Sequence, residues 1–190
     1  MLVLALGIVL MLGVHTLATL RETRGRLVER FGLQPYKAVH SLIALLGLVL
    51  IVWGFSRYRA EGLIVVWTPP AWGRYAAIAL MWCALVALAC MNPAPGRIRG
   101  WVRHPMLTAV MIWGLAHLLA NGDAGGALLF GSFLAWSIYD RVAVTRRSDF
   151  GAAPTDSFTR ADATALAVGT VAFIALMFLH PFFAGVAAVG

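Results

Sequence analysis

Hydrophobic residues in this chain run in long unbroken stretches set apart by short polar or Pro/Gly-rich breaks. A helix needs about 20 apolar residues to cross a bilayer. Residues 2–20, 36–56, 71–91, 125–144 and 163–183 meet that length, and residues 105–120 form a shorter sixth run. The breaks are the charged stretch 21–30, the cluster Asn92-Pro93-Ala94-Pro95-Gly96, the turn Asn121-Gly122-Asp123 and the polar stretch 145–160. Pro35 opens the second run, as proline is tolerated at a helix start. Residues 63–67 are apolar but too short to cross and are stopped by Pro69-Pro70, which predicts an interfacial segment. The first run has neither a basic start nor a small-residue cleavage pattern, so it is expected to be kept as a span. The pattern predicts an all-α fold: one polytopic membrane domain over residues 1–190, a bundle of about six transmembrane helices.

Composition agrees. The chain is 61% hydrophobic and 12% charged, with a mean hydropathy of +0.84, against roughly 45–50% and 25% in soluble domains. The net charge of +7 reflects orientation rather than a nucleic-acid partner, for no basic run is interleaved with aromatics. With six spans, alternate linkers face opposite sides. One side carries Arg21, Arg24, Arg26, Arg30, Lys37, Arg97, Arg99, Arg103, Arg141, Arg146, Arg147 and Arg160; the other carries only Arg57, Arg59 and Arg74. The positive-inside rule then places both termini outside the cytoplasm. Trp53, Trp67 and Trp72 fall near the outer interface, where amphipathic rings settle. Cys83 and Cys90, seven apart on one helix, would lie about 10 Å apart, too far to bridge.

Four of the five histidines, His15, His40, His104 and His117, lie within or at the edge of these runs. A neutral imidazole is cheap to bury and is also a ligand for haem iron, copper or zinc. Ionisable residues inside a membrane are functional candidates by default. His15 and His40 sit at matched depth, near the basic side, within the echoing segments Val14-His15-Thr16-Leu17 and Val39-His40-Ser41-Leu42. Gly47 and Gly54 follow His40 at seven-residue spacing, either admitting another helix or leaving a slot for a flat cofactor. His104 stands beside Arg103 at the basic edge, placed to meet an anionic group. His117 lies deeper, with Asn121 four residues on to hold its second ring nitrogen. His180 reads as interfacial. Each of these could equally be structural. No zinc-protease pair, phosphate loop or buried carboxylate for a serine triad is present in the sequence.

Gly13-Val14-His15-Thr16-Leu17, Tyr36-Lys37 with His40-Ser41-Leu42, Trp53-Gly54, Arg103-His104-Pro105 and the run from Trp113 to Asp123 together resemble the NnrU family, over roughly residues 2–141. The family is named from genes near nitrite and nitric oxide reductases, and its plant and cyanobacterial relative, zeta-carotene isomerase, is a haem b membrane enzyme. The resemblance implies a bacterial inner-membrane protein with haem b held by His15 and His117 as axial ligands. Nitric oxide or an apolar polyene is the implied small-molecule partner. Arg21, Arg24, Lys37 and Arg103 are then placed to meet haem propionates. In the isomerase a cysteine three residues before the second histidine is thought to exchange with it; here that position is Gly114, which puts isomerase activity in doubt. Arg103-His104-Pro105 also resembles isoprenylcysteine carboxyl methyltransferases, whose paired downstream glutamates have no counterpart after Glu61. By depth alone His40 rivals His117 as the partner of His15. The competing reading is a non-catalytic membrane assembly factor.

Overall fold

In lipid every backbone N–H and C=O must be satisfied within its own segment, so apolar runs of this kind fold as helices. A computed structural model describes residues 1–92, 94–153 and 155–186. Among them the helices are α1 (Leu2–Thr19), α2 (Arg21–Phe31), α3 (Leu33–Glu61), α4 (Gly73–Ala89), α5 (Arg97–Val102), α6 (Pro105–Ala120), α7 (Ala124–Arg146) and α8 (Arg160–Ala184). Four of them, α1, α3, α7 and α8, are long and apolar enough to cross a membrane. The helices α4 and α6 have 17 and 16 residues. At 1.5 Å per residue they reach about 25 Å, short of the roughly 30 Å hydrocarbon layer. The expected count of about six is therefore established by length for four.

The charged stretch read as a linker is itself helical. α2 is basic and ends at Gly32, whose φ of +88° favours glycine and turns the chain into α3. Pro35 falls in the first turn of α3, where its missing N–H is not needed.

Neighbouring helices follow the order α3, α1, α7, α6, α4, α8. The α1–α3 contact is the most extensive. A Cβ built on Gly47 would lie 2.8 Å from the Met11 amide nitrogen, one on Gly54 2.7 Å from Leu4 Cα, and one on Gly7 2.6 Å from the Ile51 nitrogen. The two helices thus meet backbone to backbone and antiparallel, the membrane use of small residues. Leu4, Ile8 and Ile51 continue into the core with Leu129 and Phe130 of α7. At the far edge α8 approaches α4 in the same way, through Gly169 against Val86, and Trp82 Nε1 donates to Thr170 Oγ1 at 3.0 Å.

The links gather at two ends, as the alternation of runs predicts. At one end the apolar segment after α3 lies across the α6–α7 turn: Val66 and Trp67 donate to the Gly122 carbonyl, and Ala124 N donates to Ile64 O. At the basic end Asp162, 1% exposed, accepts from Thr159 N and from Arg97 N and Ile98 N. Thr159 and Asp162 form a capping box, which starts α8 three residues before the apolar run. One carboxylate thereby caps both α8 and α5. Cys83 is exposed and Cys90 buried, both free.

Gly54→Ala should lower stability by about 1–3 kcal/mol, the usual cost of forcing atoms into a filled contact. Gly13→Ala meets nothing within 4 Å, so it should be neutral or gain up to about 1 kcal/mol of helix propensity. Thermal unfolding of the two variants in one detergent checks the pair.

Candidate functional site

The glycine contact fixes what lies further along the same faces. His40 is seven residues before Gly47 on α3, and His15 is four after Met11 on α1. Their rings meet at 5.2 Å between centroids, inclined by 64°. Trp136 of α7 closes the group, edge-on to His15 at 5.7 Å. Its indole N–H donates to Thr16 Oγ1 at 3.0 Å, and Thr16 donates in turn to Leu12 O at 2.7 Å. His15 Nδ1 donates to the Met11 carbonyl at 2.7 Å. Because a carbonyl only accepts, the proton sits on Nδ1 and the Nε2 lone pair is free for a metal or a donor.

His117 has the same arrangement in a different place. Its Nδ1 donates to Trp113 O at 2.9 Å, again leaving Nε2 as the lone-pair nitrogen. The expected anchor, Asn121, instead donates to the main-chain oxygen of His117 at 2.8 Å. Helical side chains lean toward the N-terminus, so the ring reaches the carbonyl one turn back rather than the residue one turn ahead. The ring stacks on Phe130 at 4.4 Å and contacts Trp113 at 5.2 Å. Gly114 faces α7, where a Cβ would lie 3.0 Å from both Leu134 Cβ and Phe130 O. A longer side chain at that position would press on the α7 backbone.

The structure brings His15 to His40 and keeps His117 apart from them. Phe130 and Trp136, which carry His117 and His15, are six residues apart on α7, a rise of about 9 Å. Trp113 and Phe133 pack at 5.6 Å in the apolar cluster that also holds Met11 and Leu12. In donor chemistry His15 and His117 suit an imidazole-ligated iron, since each has its second nitrogen held by a carbonyl. In position they differ, for the His15 ring meets His40 and Trp136 and the His117 ring meets Trp113 and Phe130. The His15–His40 rings are nearer than the roughly 6 Å of two imidazoles on opposite faces of one metal, given metal–nitrogen bonds of about 2 Å. Among the described residues no group of three or more His, Cys, Asp or Glu is placed to hold a metal ion.

His104 stands apart at the basic end. Its Nε2 donates to Asp149 O at 3.1 Å, and Asp149 also approaches Arg21 at 3.8 Å. Arg103 before it has φ +60°, ψ −55°, and His104 N donates across it to Val102 O at 2.6 Å, a strained γ-turn. Of the cations expected near propionates, Arg24 lies over the Tyr36 ring at 5.6 Å and Arg21 pairs with Asp149. Lys37 and Arg103 are exposed. His180 Nδ1 donates to Val186 O at 2.6 Å near the end of α8. Sequence reasoning assigned no role to Trp136, Thr16 or Tyr36. The hydroxyl after His15 was a signal for Thr16; nothing in sequence tied Trp136 to it.

The family model described as NnrU protein matches residues 3–188. The chain belongs to that family. The match runs well past residue 141, so α8 is part of the NnrU pattern along with the histidine-bearing helices. No curated protein and no solved structure matches the chain.

Thr16→Val keeps the shape of the side chain but leaves the Trp136 indole N–H without its acceptor, at a cost of about 1–3 kcal/mol. The loss should shrink when Thr16→Val is made in a Trp136→Phe background, as a double-mutant cycle of thermal unfolding would show.

Proposed function

We propose that this NnrU-family membrane protein binds haem b with His15 as an axial ligand and serves nitrite or nitric oxide metabolism in the bacterial inner membrane. The observation that carries the reading is the shared state of His15 and His117. Both rings donate Nδ1–H to a carbonyl four residues back, so both present an Nε2 lone pair inside an apolar bundle. His117 is the second ligand implied by the family, and His40 is the rival the structure brings within 5.2 Å. Haem would supply redox chemistry, and nitric oxide would reach the iron by replacing one of the two imidazoles. The chain's own part is to hold the imidazoles, exclude water and set Arg24 beside the basic rim.

Carotenoid isomerisation is the less favoured chemistry. Gly114 stands where the isomerase relative has its exchanging cysteine, and its Cβ direction meets the α7 backbone. A non-catalytic assembly factor with structural histidines is the opposing reading. The clustering of His15 with Trp136 and His40 would then be packing alone.

A visible spectrum of the protein purified in mild detergent, with haem supplied during expression, separates the two. A Soret band is the expected result, and its absence in a folded helical preparation favours the assembly factor. His15→Ala should abolish the band. Loss of the band in His117→Ala but not His40→Ala identifies the family pair, and the reverse result identifies the α1–α3 pair. Added nitric oxide should shift the band.

The basic end carries Arg21, Arg24, Arg97, Arg103, Arg147 and Arg160 and is assigned to the cytoplasm, which puts both termini on the opposite side. A reporter active only in the cytoplasm should be silent when fused after Gly190. Activity there would overturn the orientation.

A further inference from the structure

A single hydrogen bond fixes a point on an imidazole ring, not the plane of the ring. His15 Nδ1 donates to Met11 O at 2.7 Å, which sets the tautomer and leans the ring back over its own helix. The last torsion of a histidine side chain is otherwise broad. The contact that restrains it comes from α7. The Trp136 indole stands edge-on to the His15 ring, at 5.7 Å between centroids and 81° between planes. That indole is fixed in turn. Its Nε1–H donates to Thr16 Oγ1 at 3.0 Å, and Thr16 spends its only hydroxyl proton on Leu12 O at 2.7 Å. The Thr16 oxygen is thereby left as an acceptor, and a flipped indole would lose it. The lock leaves α1 at Thr16, passes through Trp136 and returns to α1 at the adjacent residue, His15. His117 has no such loop among its ring contacts. They are Trp113 on its own helix and Phe130, whose ring carries no polar atom to fix it.

We infer that Trp136 and Thr16 are positioning residues that fix the plane of the His15 imidazole, and so the direction in which Nε2 can bind a haem iron. The inference rests on the haem reading and adds two residues which that reading does not use. An imidazole binds a metal along a lone pair that lies in the plane of its ring, so a rotated ring aims the lone pair off the metal. Outer partners that orient a ligating imidazole are typically worth roughly 10–100-fold in metal affinity. The opposing account is that Trp136 and Thr16 only join α7 to α1. Their loss would then lower stability and leave the ligand unchanged.

The test compares the full-length protein, purified with haem, with Trp136→Phe, Thr16→Val and Thr16→Ser. Two properties are read: the rate of haem transfer to excess apomyoglobin, and the largest g value of the ferric low-spin haem, which follows the orientation of the axial imidazole planes. Transfer should be about tenfold faster in Trp136→Phe and Thr16→Val, with a shifted g value in both. Thr16→Ser keeps the hydroxyl and should match the wild type in both properties. Lowered melting temperatures with unmoved transfer and g values would reduce the two residues to a helix joint and overturn the assignment. Equal behaviour of Thr16→Ser and Thr16→Val would also overturn it, since the bond to the indole would not be the cause. The two Thr16 variants decide the matter even if Trp136→Phe does not fold. A wild-type protein without a Soret band defeats the haem reading, and this assignment with it. A band that responds to none of the variants defeats this assignment alone.

Discussion

The contact between α1 and α3 sets the geometry on which the histidine cluster depends. Lipid gives little hydrophobic drive for two apolar helices to associate, so their closeness must come from shape. Gly7, Gly47 and Gly54 supply it by letting Leu4, Met11 and Ile51 meet bare backbone. Once that register is set, the next turns along the two helices have no freedom over which residues face each other. His15 and His40 meet because Met11 and Gly47 do. Trp136 then joins the pair because α1 also packs on α7, through the core of Leu4, Ile8, Leu129 and Phe130. The imidazoles are thus positioned by helix packing at a distance, not by bonds to each other.

The basic end is held by a different kind of interaction. Asp162 takes main-chain donors from two helix starts, so α5 and α8 are joined where both would otherwise leave N–H groups unsatisfied. That junction, with Thr159 Oγ1 donating to Pro95 O, anchors an α8 whose main neighbour is α4. Apolar packing dominates inside the bundle and capping dominates at its rim. The division follows from solvent: carboxylate caps are useful where backbone groups leave the helix ladder, and unaffordable in the middle of the bilayer.

Much of this was legible in the sequence, and the exceptions have physical causes. The apolar runs and the grouping of links at two ends needed only counting, because a membrane span is a matter of length and hydropathy. Depth counting from the flanking basic residues also paired His15 with His40. The glycines after His40 had two readings, close packing or a cofactor slot, and only the position of Met11 and Leu4 decides for packing. α2 was missed because a run of alternating charge has no apolar length to mark it. The start of α8 was readable in Thr159 and Asp162, three apart as in a capping box, yet the apolar run masked it. Trp136 could not be found, since it needs the α1–α7 register. Asn121 was misassigned because spacing alone does not say which way a helical ring leans.

The separation of His117 from His15 follows from how α6 is started. Arg103 adopts a strained γ-turn, and Pro105 then occupies the first helical position. Strain of this kind persists only where surrounding contacts over-determine it. Here Ala152 N donates to Arg103 O and His104 bonds to Asp149, which tie the turn to the link after α7. At the other end α6 stops at Asn121, whose neighbour Gly122 accepts the α3–α4 link. Between those two fixed points α6 has 16 residues, and Gly114 locks it against Leu134 and Phe130. These contacts set the register of α6 on α7, with the His117 ring on Phe130 and the His15 ring on Trp136, six residues further along α7.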